Sequence, residues 1–261
     1  MGCEEGERAR GAIRHAGPFR WTGLPEEPTL RVYLPPGYED GAGAHPLAIF
    51  FDGQNMFDDE GSYQGGWQLH RLLDWRACRG GRVPIAVALD TAGWSRASVL
   101  TPWPRAGVEG LGARTIEWLS SWLIPTLRAE LRVEPGPDAV LIGGASLGGL
   151  LALYAYAQRP DQFGRVMAMS PALGWPDGGA PVIDLIASAP RHRRGRVYVD
   201  AGARECECTN IVRHTGALVG TLERLGYRHG HDLAHWHDPD GAHDEPSWKR
   251  RLPAALDFLL D

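Results

Sequence analysis

Cysteine is scarce in this chain. Cys3, Cys78, Cys206 and Cys208 are all there is in 261 residues, too few and too unevenly placed for a disulfide framework. Cys206-x-Cys208 also lacks the spacing of a zinc pair, so both read as ordinary thiols. Long apolar runs are missing too, and none approaches the length that spans a bilayer. Residues 1–17 alternate charge and glycine with no apolar segment, so no signal peptide is visible. Gly6 stands where myristoylation of a Met-Gly start needs Ser or Thr. A positive surplus is absent: the net charge is −5 and the sequence pI near 6.1, which argues against nucleic acid or anionic membrane as a partner. The short cluster Arg191-His192-Arg193-Arg194 reads as a solvated loop. Cytoplasm is the expected compartment, and the oligomeric state stays open.

What the chain does have is a core. Apolar residues make up 43%, enough for one large α/β domain. Residues 1–17 are expected to be a loose tail and residues 18–261 a single domain. Phe19-Arg20-Trp21 and Leu30 to Leu34 alternate as paired antiparallel strands would. Leu47 to Phe51 and Val83 to Leu89 read as buried strands. Trp67 to Trp75 has a helical pattern. Ile116 to Leu131 predicts a long amphipathic helix that Pro125 could kink. Further on, strands are expected at Arg165 to Met169, Arg196 to Val199 and Asp232 to Trp236. Helices are expected at Pro181 to Ser188, Ile211 to Leu225 and Trp248 to Leu260. Alternating strands and helices imply a mostly parallel sheet covered on both faces.

The organising stretch is Asp138 to Tyr156, DAVLIGGASLGGLLALYAY. An apolar run ends in Gly-Gly-Ala-Ser-Leu-Gly-Gly, and leucines then continue at helical spacing. Strand, sharp turn with Ser146 at its apex, helix: this is the layout of a nucleophile elbow. With 34 glycines in the chain, the bare G-x-S-x-G pattern carries little, and the strand–turn–helix setting carries the weight. The rival phosphate loop would need Lys then Ser or Thr after Gly148; Gly149 and Leu150 follow instead.

A serine that attacks a carbonyl needs a base for its proton and a carboxylate to orient that base, in the chain order Ser, acid, His. His243 sits in a turn-rich loop between the last strand and the last helix, where the base is expected. His231, His235 and His237 share a parity that could bind metal, but they match no zinc signature and read as polar strand residues. Two carboxylates follow the penultimate strand. Asp200 could still belong to the strand, whereas Glu205 lies out in the turn, and loop position favours Glu205. An oxyanion hole needs two N–H groups: one at Leu147, the second at Gly53 or Gln54, with the Gln54 side chain a weaker candidate. Trp67, Trp94, Trp103 and Trp175 near these loops suggest an aromatic cleft. Arg96 could pair with an anionic substrate or sit in a salt bridge.

Several blocks in this order resemble the Putative esterase group of α/β-hydrolases, which includes enterochelin esterases, feruloyl esterases and S-formylglutathione hydrolase. The blocks are Phe51-Asp-Gly-Gln-Asn-Met-Phe, Thr101-Pro-Trp, Gly143-Gly-Ala-Ser-Leu-Gly-Gly-Leu, Pro160-Asp-Gln-Phe-Gly, Ser170-Pro-Ala-Leu, Gly202-Ala-Arg-Glu and Gly241-Ala-His-Asp-Glu-Pro-Ser-Trp. The resemblance runs from about Leu30 to Leu260. It implies an α/β-hydrolase fold, with Ser146 as nucleophile, His243 as base and oxyanion amides at Gln54 and Leu147. It matches Glu205 to the family's Gly-x-x-Glu turn, although some members work as a Ser–His dyad.

The expectation is then a serine esterase cleaving carboxylic esters through an acyl-enzyme, with bulky siderophore, aromatic or carbohydrate esters as its expected substrates and no cofactor or metal. The alternatives are an acyltransferase with the same residues, separable by product analysis with acceptor alcohols, and a binding protein that keeps the fold. Residues between Ser170 and Gly195 are too few for a large lid, so an open site is expected.

Overall fold

Short runs such as Leu47-Ala48-Ile49-Phe50-Phe51 are apolar at every position, so they suit strands buried on both faces. The computed structural model describes residues 10–91, 93, 95–189, 195–205 and 210–261. In chain order the elements are β1 (Ala12–Ala16), β2 (Leu30–Leu34), β3 (Leu47–Phe51), α1 (Leu69–Cys78), β4 (Ile85–Leu89), α2 (Arg96–Leu100), α3 (Gly112–Trp118), α4 (Ile124–Glu130), β5 (Val140–Ala145), α5 (Leu147–Gln158), β6 (Arg165–Met169), α6 (Pro181–Ser188), β7 (Arg196–Gly202), α7 (Ile211–Arg224), β8 (Leu233–Asp238) and α8 (Glu245–Leu260). The sheet order is β1-β2-β4-β3-β5-β6-β7-β8. The pairs β1–β2 and β2–β4 are antiparallel, and every later pair is parallel.

Strand parity divides the core. Leu47, Ile49, Phe51, Val87 and Ile142 face a layer that includes α5 and α7. Ala48, Phe50, Ala88, Leu141 and Met167 face α1 and α8, where Leu69, Leu73, Leu252 and Leu256 are buried. Burying one such Phe or Leu side chain stabilises by about 1.5–3 kcal/mol. The sheet therefore has helices on both faces. Chain order reverses between β3 and β5, and in such sheets the ligand crevice lies outside the carboxyl ends of the strands at that switch.

Two expectations about the N-terminal region are corrected. Ala12–Ala16, placed in the loose tail, forms the edge strand β1 along β2. Its residues are exposed or half-buried, so no apolar alternation marks it. Phe19 to Trp21, expected as that strand, is irregular; Phe19 instead packs on Trp122 with ring centroids 5.0 Å apart. The long helix starts earlier than expected, at Gly112, and passes through a π turn at Leu119–Leu123 just before Pro125. A proline lacks the N–H that the ladder needs and crowds the preceding turn, which the wider turn accommodates.

Cys78 at the end of α1 is disulfide-bonded, contrary to the expectation that the cysteines are not cross-linked. Disulfides persist mainly in oxidising compartments, so the cysteine count no longer argues for the cytoplasm. Cys206, Cys208 and the 191–194 cluster lie outside the described residues. Among those described, no helix is long and apolar enough to cross a membrane.

Candidate active site

The turn after β5 forces Ser146 to φ 56°, ψ −120°, a backbone conformation that a residue with a side chain adopts only when its surroundings impose it. Three bonds impose it here. Ser146 N–H donates to Met169 O at 2.9 Å, and Ser146 O accepts from Leu150 N–H and Ala172 N–H, each at 3.0 Å. The turn is tight enough that a Cβ on Gly144 would come within 3.0 Å of the Gly148 backbone. Glycine at both positions lets the strand and the helix close on each other.

His243 reaches this serine from the β8–α8 loop, which is pinned at both ends. Asp244 caps α8 by accepting from Ser247 N–H at 2.9 Å, and Ala242 N–H donates to Ser247 Oγ at 3.0 Å. On the other side, Ala203 N–H donates to Asp238 O and Arg204 N–H to Gly241 O, each at 2.8 Å. The β7 turn and the His243 loop are so close that a Cβ on Gly202 would overlap Gly241 O, at 2.2 Å. That closeness brings Glu205 beneath the imidazole.

The three side chains form a continuous chain. His243 Nε2 lies 2.9 Å from Ser146 Oγ, and His243 Nδ1 lies 3.0 Å from Glu205 Oε2. A carboxylate only accepts, so the proton sits on Nδ1 and leaves the Nε2 lone pair for the serine hydroxyl. Glu205 Oε1 also accepts from Gly202 N–H at 2.7 Å and from Ser170 Oγ. Burial alone would raise the Glu205 carboxyl, but the hydrogen bonds from His243, Ser170 and Gly202 outweigh it and hold its pKa below the usual carboxylate value. Asp200, the other carboxylate considered, makes no hydrogen bond or ion pair with His243; its partners are Ser170, Tyr198 and Arg251. It is fully buried inside β7 and accepts from Ser170 N–H at 2.9 Å and from Tyr198 Oη at 3.1 Å. Burial raises its pKa to about 7, against the lowering effect of nearby Arg251.

Two amides face the question of the oxyanion. Leu147 opens α5, so its N–H has no acceptor within the helix and sits at the positive end of the dipole. Gln54 lies in a one-turn 3₁₀ helix at Gly53–Asn55, behind β3, whose cap Asp52 has φ 57°. The Gln54 side chain is committed elsewhere, with Oε1 accepting from Thr91 N–H at 3.2 Å and Nε2 donating to Asp52 at 3.3 Å. Its backbone N–H takes part in neither of these bonds. Asp52 is braced in turn by Thr91 Oγ1 at 2.7 Å and by both Nε and Nη2 of Arg96, at 2.7 and 2.8 Å. Arg96 lines the cleft, but its charge is matched by Asp52, the salt bridge of the two options.

A cleft of about 460 Å³ opens above Ser146 and His243, walled by Phe51, Tyr63, Trp67 and Trp248. Trp67 is where the sequence puts it. Trp103 and Trp175 are not among the lining residues: Trp175 Nε1 donates to Trp103 O at 2.9 Å, and Trp103 stands edge-on to Tyr154 of α5. Trp94 lies outside the described residues. Sequence reasoning missed Tyr63, Trp248, Asn55 and Glu245. Asn55 Oδ1 accepts from Tyr63 N–H and its Nδ2 donates to Glu245 Oε1, each at 3.0 Å, so the rim tyrosine is tied to the start of α8. Burial, with Asp52 nearby, raises the Glu245 pKa. Among the described residues no group of three or more His, Cys, Asp or Glu could hold a metal ion, and His235 and His237 stand exposed on β8.

The chain is 27% identical over 191 residues to "Uncharacterized protein YbbA" of Bacillus subtilis (strain 168), covering 70% of this chain and 71% of that one. It is 46% identical over 220 residues to the iron(III) enterobactin esterase of Dickeya dadantii (strain 3937), covering 77% of this chain but only 47% of the relative. The chain thus spans about half the length of that esterase. Its fold superposes on the siderophore hydrolase EstA from Aspergillus nidulans with a TM-score of 0.77 at 16% identity, over 99% of this chain and 97% of that one. The profile of the family described as "Putative esterase" matches residues 22–259. The chain has the α/β-hydrolase fold and belongs to that esterase family, whose reaction is the hydrolysis of carboxylic esters.

Proposed function

We propose that the chain hydrolyses carboxylic esters through an acyl-enzyme on Ser146. The observation that carries this reading is the unbroken contact from Ser146 Oγ through His243 to the buried Glu205, at 2.9 and 3.0 Å. Ser146 Oγ attacks the ester carbonyl carbon as His243 Nε2 takes its proton. Negative charge gathers on the carbonyl oxygen, which the Leu147 and Gln54 amides stabilise. The tetrahedral species collapses, the C–O bond to the alcohol breaks, and His243 returns the proton to the departing oxygen. Water then repeats the sequence on the acyl-enzyme, its proton passing through His243, and frees the acid. Throughout, Glu205 stabilises the imidazolium and keeps the proton on Nδ1.

The preferred substrates are bulky esters of siderophore type. A cleft of about 460 Å³ is within the range that buries a drug-sized molecule, about 300–1,000 Å³. Its aromatic walls, and the likeness to an enterobactin esterase and a siderophore hydrolase, support this class. A panel from p-nitrophenyl acetate to feruloyl and catecholate esters tests the reading. The highest kcat/KM is expected for bulky aromatic acyl or alcohol groups, with no jump in rate on emulsified lipid. A clear preference for emulsified long-chain triglycerides would overturn the substrate assignment, and no turnover across the panel would overturn the activity.

A further inference from the structure

Behind Glu205 lies a polar cluster, sharing Trp248 with the cleft wall, that the proposed chemistry does not use. At its centre is Ser170, fully buried just after β6 with φ 41°. Its hydroxyl has three neighbours. Trp248 Nε1 lies 3.1 Å away, Arg251 Nη2 lies 3.0 Å away, and Glu205 Oε1 is in hydrogen-bond contact. An indole N–H and a guanidinium can only donate. They occupy both lone pairs of Ser170 Oγ, and its single hydrogen is left with one place to go, Glu205 Oε1. The direction of that hydroxyl is therefore set by its surroundings.

We propose that Ser170 is a positioning residue for Glu205, a hydroxyl locked by Trp248 and Arg251 so that it always donates to the carboxylate oxygen that does not face His243. The proposal deepens the esterase reading and rests on it for the role of Glu205. With Gly202 N–H and Ser170 Oγ–H both on Oε1, the carboxylate cannot swing off them without stranding two buried donors. Oε2 is thereby kept for the imidazole. Arg251 does not act as an unbalanced charge: its Nη1 lies 3.2 Å from Asp200 Oδ1 and its Nε 4.0 Å from Asp238 Oδ2. The charged and titratable groups around the cluster are Asp200 and Tyr198 from β7, Asp238 from β8 and Arg251 from α8, with His243 on the cleft side.

The test reads the Glu205–His243 contact directly. The His243 Nδ1–H resonance is followed by NMR, assigned by its loss in His243→Gln. In Ser170→Ala, Glu205 loses one of the two donors that hold Oε1, the carboxylate is free to swing, and its contact with Nδ1 loosens. The resonance should move upfield and exchange with water about tenfold faster. A merely structural role would leave the resonance of the folded variant where the parent has it. Should Ser170→Ala fail to fold, the near-isosteric Ser170→Cys, whose thiol is a weak donor, should give a smaller change in the same direction. An unchanged or downfield-shifted resonance in the folded variant would overturn the proposal. The measurement needs no turnover, so an upfield, faster-exchanging proton in a protein that cleaves no ester would support this role for Ser170 while refuting the esterase reading.

Discussion

Replacing Glu205 by Gln is the change whose outcome the geometry dictates most closely. Two donors, Gly202 N–H and Ser170 Oγ, converge on Oε1, so the amide oxygen of Gln must take that place. Its NH₂ is then turned towards His243 Nδ1, 3.0 Å away in the parent. To accept from it, the imidazole must move its proton to Nε2, and an Nε2–H cannot take a proton from Ser146. The tautomer is wrong and the imidazolium has lost its anion. Loss of the orienting carboxylate costs about 10⁴-fold in kcat in the serine protease example, which is about 5.4 kcal/mol at 1.36 kcal/mol per tenfold. Steady-state kinetics on a p-nitrophenyl ester should show kcat lowered to that degree with KM little changed. Circular dichroism should show the fold intact, since Gln fills the same space. Asp200→Asn, which breaks no hydrogen bond or ion pair to His243, should cost far less activity. If Glu205→Gln keeps kcat within about tenfold of the parent, the chain works as a Ser–His dyad. If Asp200→Asn is the crippling change, the assignment of the acid is wrong.

Other outcomes follow from neighbouring contacts. Arg96→Leu removes the two charged hydrogen bonds to Asp52 and leaves it held by Thr91 and Gln54, which loosens the Gln54 turn; kcat should fall by up to about 10²-fold, the scale of losing one oxyanion donor, and an unchanged kcat would show that the turn does not need the Arg96 brace. Gly144→Ala places a Cβ 3.0 Å from the Gly148 backbone and should lower stability by about 1–3 kcal/mol, read as a lower urea midpoint; an unchanged midpoint would mean that the elbow can open. The pKa of Glu205 is held low in the folded state, so its contribution to stability is present above the normal carboxylate pKa and is lost as pH falls through the folded one. The gap in melting temperature between parent and Glu205→Gln should therefore be widest near neutral pH and close on acidification below about pH 4; a gap that widens in acid would contradict the sign.

Much of this site is written locally in the chain. β5 and the Ser146 turn are legible because an apolar run, clustered glycines and helical leucines are consecutive. His243 and Glu205 are legible because a loop after a late strand is visible in the sequence and the required order of partners restricts the choice. What was not legible depends on long-range contact. Asn55 and Glu245 meet across 190 positions, and nothing in either segment announces the other. Ser170 looks like the end of a strand before a proline, and its role is set by Trp248 and Arg251 from the far end of the chain. Trp103 and Trp175 fooled the reading in the opposite sense, because nearness to a loop in sequence does not say which way a ring turns. β1 escaped since an exposed edge strand needs no apolar alternation, only the open edge of β2 to pair with.

The most direct measurement of the central claim is covalent. Treatment with a fluorophosphonate, followed by intact-protein mass and peptide mapping, should give a single adduct, located on the peptide that contains Ser146. Ser146→Ala should take up none while remaining folded. An adduct on another residue, or no adduct on the parent protein, would contradict the account.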